Sequence, residues 1–324
     1  MKAIICKSYG LPNTLVYEEI PSPIPGPKEV LVSVKACSIN FPDTLIIQGL
    51  YQFKPECPFT PGSDIAGVVK AVGDQIKHLK PGDEVFGMVP FGGFAEEVLV
   101  PKNTCFPKPP GMSFELAASF LMTYGTSYHA LKDRAQIKEG ETLLVLGAAG
   151  GVGLAAVELG KLMGAKVIAA ASTDEKLALC KEYGASETIN YKTEDLRARL
   201  KEITEGKGVD VVYDPVGGQY SELAFRSTAW NGRHLVVGFA AGDIPKIPLN
   251  LPLLKGSQIV GVFWGRFATE YPNENIANTM QLVQWQAEGK INPHIHATYP
   301  LADTAKALEE ILARNVKGKV IIKI

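Results

Sequence analysis

Closely spaced cysteines, charge of one sign and long apolar runs are all scarce in this sequence. The 324 residues contain five cysteines, which are scattered and form no C-x-x-C pair. A structural zinc lobe or a disulfide framework is therefore disfavoured, and a reducing compartment is expected. The chain has 33 lysines and arginines against 34 acidic residues, a net charge of −1 with no long run of one sign. Nucleic-acid binding and membrane docking thus have no electrostatic support.

Targeting segments and two common catalytic motifs are also missing. Residues 1–6 are typical of a strand rather than a signal peptide, since they have one lysine and a short apolar stretch. The longest weakly polar run, residues 142–157, contains four glycines and does not read as a membrane span. There is no Gly-x-Ser-x-Gly or Gly-x4-Gly-Lys-Ser/Thr sequence, so hydrolase and phosphotransferase functions are unsupported. We expect a cytoplasmic protein with no membrane or nucleic-acid partner.

The chain is organised around the same stretch, residues 142–157. An apolar run ends at a glycine-rich turn and continues with apolar residues at helical spacing. In such a strand–turn–helix unit, the helix N-terminus offers unpaired N–H groups to a phosphate, and glycines let a pyrophosphate approach the backbone. A second apolar strand at 166–171 completes a βαβ unit, which favours a dinucleotide site over a mere packing device. The predicted cofactor-binding residues of this turn are Ala149, Gly150, Gly151, Val152 and Gly153.

The order of predicted elements divides the chain into two domains. Short strands with alternating polarity, at 29–38, 64–72, 84–88 and 96–100, are typical of a partly open β-barrel. Beyond about residue 113, apolar β-branched strands alternate with helices, which predicts an α/β fold with a doubly wound parallel sheet. The tail carries two helices and a last strand and is expected to return to the first domain. The predicted domains are residues 1–122 with 265–324, and residues 123–264.

Several local stretches make the chain resemble the medium-chain dehydrogenase/reductase superfamily. They follow one another in that superfamily's order and span the chain: residues 61–69, 79–85, 148–153, 214–218 and 318–320. The resemblance implies a GroES-like partly open β-barrel domain beside a Rossmann domain. It also implies a nicotinamide cofactor.

The branch of the superfamily follows from the zinc ligands. Zinc alcohol dehydrogenases hold the catalytic metal with a cysteine, a histidine followed by glutamate, and a second cysteine. The corresponding stretches here are residues 38–40, 62–64 and 120–122, and none supplies such a ligand. Because zinc needs nitrogen or thiolate ligands at fixed spacing, no metal is expected. The chain resembles the zinc-independent quinone oxidoreductase branch.

The end of the second strand of the nucleotide domain predicts the cofactor. Enzymes specific for NAD carry an acidic residue there to bind the ribose hydroxyls, whereas this chain has Ser172. Lys176 lies one turn further on and can reach a 2′-phosphate, and Tyr191 matches a family tyrosine that closes over that phosphate. The alternative is that Ser172 only caps a helix, in a capping box of residues 172–175. Asp174 could bind a ribose if the turn were shifted, but NADPH is the better prediction.

The resemblance also suggests an active site near residues 40–51. Tyr51 would give a hydrogen bond or a proton to the substrate oxygen, and Asn40 would orient the substrate or the nicotinamide ribose. The residues alone favour Asn40 as a helix N-cap with Pro42 in the first turn and Tyr51 as a packing residue. The resemblance brings the two interpretations to equal weight. Family members often have an arginine where this chain has Ile47, so a more apolar substrate entrance is expected.

The remaining cofactor-binding candidates lie at element ends. Thr126 matches a family threonine that contacts the nicotinamide, although a small residue starting a helix is also ordinary. Gly238 and Phe239 end the fifth predicted strand, and Phe263 follows the sixth, where open α/β sheets bind ligands; Phe263 would equally fit a core or a dimer interface. Lys319, in the family-like ending at residues 318–320, completes the predicted cofactor-binding set.

These observations predict an NADPH-dependent, metal-free oxidoreductase that reduces quinones or other conjugated carbonyl compounds by direct hydride transfer. The small-molecule substrate must already be electrophilic, because no metal polarises it. One alternative is an enoyl-thioester or 2-enal reductase. Another, from a different class, is an NADPH-binding sensor or structural protein without turnover. The resemblance further implies a homodimer joined through the sixth strand of the nucleotide domain.

Overall fold

The computed structural model describes all residues from 1 to 324. The chain forms two compact units, which we call unit 1 (Met1–Met122 and Pro293–Ile324) and unit 2 (Thr123–Asn292). The strands are β1 (Lys2–Ile5), β2 (Val16–Glu19), β3 (Glu29–Ile39), β4 (Asp64–Val72), β5 (Glu84–Met88), β6 (Glu97–Pro101), β7 (Cys105–Pro107), β8 (Thr142–Leu146), β9 (Lys166–Ala171), β10 (Glu187–Asn190), β11 (Val209–Asp214), β12 (Thr228–Val236), β13 (Gln258–Gly261), β14 (Ile295–Pro300) and β15 (Lys319–Lys323). The helices are α1 (Phe41–Ile46), α2 (Phe114–Ala118), α3 (Thr126–Tyr128), α4 (Gly151–Leu162), α5 (Asp174–Glu182), α6 (Leu196–Ile203), α7 (Gly218–Arg226), α8 (Asn250–Lys255), α9 (Trp264–Glu270), α10 (Pro272–Ala287) and α11 (Thr304–Leu312).

Unit 2 is built on one parallel sheet with the strand order β10-β9-β8-β11-β12-β13. Four of the five residues of β8, 143–146, are completely buried, as expected for a central strand covered on both faces. From the centre of the sheet, β8, β9 and β10 follow one another towards one edge, and β11, β12 and β13 follow one another towards the other edge. This order is that of a doubly wound Rossmann sheet, so the predicted fold class is confirmed.

Unit 1 is built on a mostly antiparallel sheet with the path β14-β15-β3-β4-β5-β7, and β6 also pairs with β3. The end strands β14 and β7 do not pair with each other, so the sheet stays open. Alternate residues of β3, among them Val30, Val32 and Val34, are buried in the unit 1 core. The tail strand β15 pairs antiparallel with β3, so the tail returns to the first domain as predicted.

The point of return differs from the one expected. The chain re-enters unit 1 at Pro293, not at residue 265, because α9 and α10 pack within unit 2. Trp264 Nε1 donates to Asn275 Oδ1 at 3.0 Å, and Lys132 Nζ donates to Asn278 Oδ1 at 2.5 Å. These contacts tie both helices to unit 2 before the tail begins.

The chain around the start of unit 2 is wound more widely than an α-helix. Helix α2 is followed by π-helical turns at 121–125 and 129–134 on either side of α3. None of the helices combines the length and the apolar character needed to cross a lipid bilayer.

Candidate functional site

The glycine-rich turn after β8 packs as tightly as the dinucleotide prediction requires. Gly147 has φ +57°, and Gly150 is the N-cap of α4. A Cβ atom on Gly153 would lie 2.3 Å from the carbonyl oxygen of Gly147, so only glycine permits this approach of helix and turn. The 12-residue helix α4 thus begins next to the end of β8, and its first N–H groups lack intrahelical partners. This is the geometry in which a helix N-terminus receives a pyrophosphate.

Other predicted residues lie along the same edge of the sheet, because all six strands are parallel. Ala148 N–H donates to the Ala170 carbonyl of β9 at 3.0 Å. Gly238 N–H reaches the Asp214 carbonyl at the end of β11 at 3.3 Å, and Phe239 packs close to Gly217. The structure therefore places Gly238 and Phe239 beside the turn after β11, which itself adjoins the glycine turn.

Sequence reasoning missed the network that shapes the turn after β11. Asp214 Oδ1 accepts hydrogen bonds from the N–H groups of Val216 and Gly217 at 2.9 Å each, while Oδ2 accepts from Ser221 Oγ and from His234 Nε2. Although burial opposes ionisation, hydrogen bonds from His234 and Ser221 hold the pKa of Asp214 below its usual value. The sequence singled out residues 214–218 only by their resemblance to the superfamily. A buried carboxylate fixing two loop N–H groups explains why aspartate opens that stretch.

The helix cap after β9 corrects one prediction. The N-cap of α5 is Thr173, whose Oγ1 accepts from Lys176 N–H at 3.3 Å, and not Ser172. Ser172 instead follows the last strand residue and is half-buried, which leaves its side chain free of the capping role. The capping-box alternative for residues 172–175 is therefore wrong.

Asp174, the residue that could bind a ribose in place of a 2′-phosphate, is engaged in a hydrogen bond in the structure. Its Oδ1 accepts a hydrogen bond from Asn190 Nδ2, the last residue of β10, at 2.7 Å. Tyr191 follows directly, and its ring lies 4.4 Å from that of Tyr220. The structure thus brings Ser172, Lys176 and Tyr191 to the ends of two neighbouring strands.

In unit 1, Asn40 begins α1 as predicted. Pro42 stands in the first turn, and Asn40 N–H donates to Asp43 Oδ2 at 2.7 Å. Asn40 and Asp43 thus form a capping box. Asn40 Oδ1 also accepts from Lys319 Nζ at 2.5 Å, and Asn40 Nδ2 is buried without a hydrogen-bond partner.

Lys319 differs from its predicted role. It was expected to contact a cofactor, but it is only 4% exposed and its ammonium group points into unit 1. Besides Asn40, it donates to the Ile39 carbonyl at 3.0 Å. The strand register explains this, because Val320 of β15 pairs with Ile39 of β3 and places Lys319 level with Asn40.

Two buried carboxyl groups face this lysine. Asp64, paired with Ser38 in the sheet register, accepts from the Met122 N–H at 3.2 Å, and Asp43 lies in α1. Burial raises the pKa of both Asp43 and Asp64 to about 7, while the charge of Lys319 acts in the opposite direction. Burial likewise lowers the pKa of Lys319 against the pull of the two carboxylates. We call these four residues, Asn40, Asp43, Asp64 and Lys319, the lysine cluster.

The same place tests whether zinc fits. The three stretches that correspond to zinc-ligand positions meet here, since Asp64 Oδ2 accepts from both Ser38 Oγ and Met122 N–H. They offer a hydroxyl and a carboxylate but no thiolate or imidazole. No group of three or more histidine, cysteine, aspartate or glutamate side chains is arranged to hold a metal ion. A lysine ammonium among these residues would also repel one, so the donor set does not fit zinc.

Tyr51 lies near this cluster in unit 1. Gly49, with φ +67°, turns the chain after α1, and the half-buried Tyr51 then packs against the unit 1 core. Burial first, and the charge of Asp43 second, raise the pKa of the Tyr51 phenol above its usual value. Its hydroxyl therefore stays protonated at neutral pH and can donate a hydrogen bond.

Thr126 and Phe263 lie in unit 2. Thr126 is close to the glycine turn, because the next residue, Ser127, donates from Oγ to the Val152 carbonyl at 2.9 Å. Thr126 is the first residue of α3. The preceding Gly125 leaves room for the indole of Trp264, because a Cβ atom on residue 125 would lie 2.7 Å from that ring. Phe263 follows the edge strand β13 and is 55% exposed. It lies on the same sheet edge as the glycine turn but three strands along, in a surface groove with His129 and Tyr271.

Comparison with known proteins agrees with this arrangement. Residues 26–110 match the family model of the alcohol dehydrogenase GroES-like domain, and residues 151–284 match that of zinc-binding dehydrogenases. The chain is 39% identical to the quinone oxidoreductase-like protein 2 homolog of Nematostella vectensis, over 99% of this chain and 88% of that protein. It is 34% identical to a quinone oxidoreductase of Pseudomonas aeruginosa, over 99% of both chains. The crystal structure of Escherichia coli quinone oxidoreductase complexed with NADPH superimposes with a TM-score of 0.94, at 32% identity and full coverage of both chains.

Proposed function

Because the chain belongs to the quinone oxidoreductase branch of the medium-chain dehydrogenase/reductase superfamily, we propose that it is an NADPH-dependent oxidoreductase of quinones or other conjugated carbonyl compounds. The observation that carries most weight is the turn at residues 147–153, which closes so tightly that Gly153 admits no side chain. Such closure leaves the backbone N–H groups of α4 open to a pyrophosphate.

The residues that follow β9, the second strand of unit 2 in chain order, support NADPH as the cofactor. Ser172 offers a hydroxyl where a carboxylate would repel a 2′-phosphate. The Asp174 carboxylate is hydrogen-bonded to Asn190. Lys176 and Tyr191 would complete the phosphate site. The Escherichia coli enzyme described above was crystallised with NADPH, which points the same way.

The reaction needs little more than alignment and a hydrogen-bond donor. NADPH supplies the hydride when bound. As hydride reaches a conjugated carbon, negative charge develops on the substrate oxygen, and fixed donors stabilise that charge. Tyr51, whose phenol is protonated at neutral pH as in any tyrosine, is one such donor, and the free Nδ2 of Asn40 is a second.

We propose that the reaction proceeds without a metal. The positions of the zinc ligands hold Ser38 and Asp64 in hydrogen bonds, and Lys319 supplies a positive charge in the same cluster. With no Lewis acid, the substrate must be activated by its own conjugation, which favours quinones and enones over simple ketones.

Two further candidate functions differ in what they ask of Tyr51. An enoyl-thioester or 2-enal reductase is favoured by a protonated phenol beside the cluster, because alkene reduction needs a proton after the hydride. A sensor without turnover would bind NADPH at the glycine turn alone and would not need Tyr51. We further propose a homodimer formed through β13, and a cytoplasmic location, which the five unpaired cysteines support.

The test is NADPH consumption by the purified, chelator-treated protein with two acceptor sets, quinones and 2-enals with enoyl-CoA esters. NADH runs in parallel, and Tyr51→Phe is compared with the parent. Tyr17→Phe, a change on the exposed strand β2, is the matched control. Faster turnover of quinones that depends little on Tyr51 supports a quinone reductase. Faster turnover of enoyl substrates that Tyr51→Phe abolishes supports the alkene reductase, whereas binding without oxidation of any acceptor would leave only the sensor.

A further inference from the structure

We infer that Lys319 is a positioning residue, which fixes the side-chain amide of Asn40 so that it presents an N–H donor to an oxygen of the bound ligand. The inference rests on the proposed function and adds a residue that acts through another. It replaces the direct cofactor contact expected of Lys319 from the sequence.

The first step is the identity of the Asn40 atom that faces Lys319. A lysine ammonium has three donors and no acceptor, so the atom 2.5 Å from Nζ must be the amide oxygen Oδ1. The second donor contact, to the Ile39 carbonyl at 3.0 Å, fixes the ammonium itself. The orientation of the Asn40 amide is therefore dictated by chemistry, where an isolated asparagine could be turned either way.

The second step is the group left over. With Oδ1 held, Nδ2 must point away from Lys319, and it is buried without an acceptor anywhere in the chain. A buried donor without a partner is unfavourable, and an acceptor oxygen of a ligand at this position would satisfy it. Asn40 itself is 5% exposed, which rules out bulk water as the ordinary partner.

The third step concerns the kind of ligand atom to which Nδ2 can donate. Nδ2 can meet only an acceptor oxygen, which is either the carbonyl oxygen of the electrophilic substrate or an oxygen of the cofactor. The opposite orientation of the amide would present Oδ1 and would repel a carbonyl. Lys319 thus selects for a carbonyl or other acceptor group at this position by fixing the orientation of the Asn40 amide.

The experiment is a double-mutant cycle on binding. The dissociation constants of NADPH, and of a quinone for the protein saturated with NADP⁺, are measured by fluorescence for the parent, Lys319→Met, Asn40→Asp and the double variant. Asn40→Asp keeps the size of the side chain but has no amide donor. Lys323→Met, which removes an exposed lysine of the same strand that pairs with Glu115, is the matched control.

Each single variant is expected to weaken one of the two ligands by about tenfold, the worth of one hydrogen bond. The double variant is expected to bind as weakly as Asn40→Asp and no more weakly, because Lys319 acts only through Asn40. A change confined to NADPH, with an unaltered kcat, assigns the oxygen to the cofactor. A change in the quinone constant with a fall in kcat assigns it to the substrate carbonyl.

Three results would overturn the inference: unchanged constants in Asn40→Asp, unchanged constants in Lys319→Met, or independent losses that multiply in the double variant. If Lys319→Met does not fold, the variant that combines Lys319→Met with Asp64→Asn replaces it, because that variant removes a carboxylate charge together with the ammonium. The combined variant is then compared with Asp64→Asn alone. A parent protein that binds no NADPH would instead refute the proposed function.

Discussion

Gly153 is the residue at which the fold and the proposed function depend on a single atom. A Cβ there would meet a backbone oxygen, which cannot swing aside as a side chain can. We predict that Gly153→Ala lowers the free energy of unfolding of the ligand-free protein by about 1–3 kcal/mol, the usual cost of overpacking. Urea denaturation measures this loss, and weaker NADPH binding should accompany it because the turn must open.

Gly150 provides the control for that prediction. It has a φ of −76°, which any residue adopts, and its Cβ would stand 3.4 Å from the same oxygen. Gly150→Ala should therefore cost no more than about 1 kcal/mol, the difference between glycine and alanine at an N-cap, and less than Gly153→Ala. Equal losses in the two variants would mean that glycine content, and not the close approach at residue 153, determines the stability of the turn.

For single residues, the sequence predicts a hydrogen-bonding role where the partner lies close by in the chain. Asn40 was predicted as an N-cap because Pro42 follows it within the same turn, and the structure agrees. Its second partner, Lys319, lies 279 residues away in the chain. No spacing rule links them, since the pairing of β15 with β3 brings them together. The N-cap of α5 was misplaced by one residue because Ser172 and Thr173 both suit that position.

Strands and helices of the nucleotide unit were predicted closely, because each has a clear period and a clear end. Strand β9 has the bounds that were predicted, 166–171, and β8 with the glycine turn after it lies within the predicted stretch 142–157. The π-helical turns at 121–125 and 129–134 were not foreseen. These turns are packed against distant residues, for example Gly125 against the Trp264 ring. Such packing does not change the spacing of apolar residues in the sequence.

Helix α4 carries a titratable group that makes the stability of unit 2 depend on pH. Glu158 accepts hydrogen bonds from the Tyr124 hydroxyl at 2.7 Å and from the Asn292 N–H at 3.0 and 3.1 Å. Burial outweighs these bonds and raises the pKa of Glu158 to about 7 from 4.5. A carboxyl group whose pKa is raised by folding stabilises the fold fully below the unfolded pKa, and that contribution is lost as pH rises towards 7.

We predict that this loss disappears in Glu158→Gln, whose neutral amide keeps an acceptor oxygen. Relative to the variant, the parent should lose stability between about pH 5 and about pH 8, by at most about 3 kcal/mol at about 1.4 kcal/mol per pH unit between the two pKa values. Urea denaturation across that range measures it. Glu187→Gln, a change at an exposed position of β10, should run parallel to the parent. If Glu158→Gln also ran parallel, this carboxyl would not be the source of the dependence.

For the whole molecule, the sequence predicted two domains but placed the return of the tail too early. The change from Rossmann pattern to tail was set at the end of the last parallel strand, where the βα alternation stops. In the structure, α9 and α10 continue to pack on unit 2 through Trp264 and Asn278. Such packing depends on which neighbour a helix meets, and an amphipathic pattern does not name the neighbour.

The sheet order of unit 2 leaves one edge strand through which the molecule can assemble. Strand β13 lies at one end of the unit 2 sheet and pairs only with β12, so its outer edge offers unpaired backbone groups. Large apolar side chains are exposed on β13 and close to it in sequence, among them Ile259 and Leu254. An exposed apolar edge strand favours pairing with another chain. Pairing with β13 of a second copy would satisfy both edges at once, as the proposed homodimer requires.

We predict that Ile259→Lys converts this dimer to monomers, because a lysine on an edge strand opposes strand pairing. Light scattering coupled to size-exclusion chromatography, at several protein concentrations, gives the mass of each variant. Ile24→Lys, at a position of unit 1 that is 87% exposed, is the control and should leave the dimer intact. A dimer that survives Ile259→Lys would place the interface elsewhere. A parent protein that is monomeric at every concentration would refute the dimer and would leave the apolar edge of β13 to be explained by a different partner.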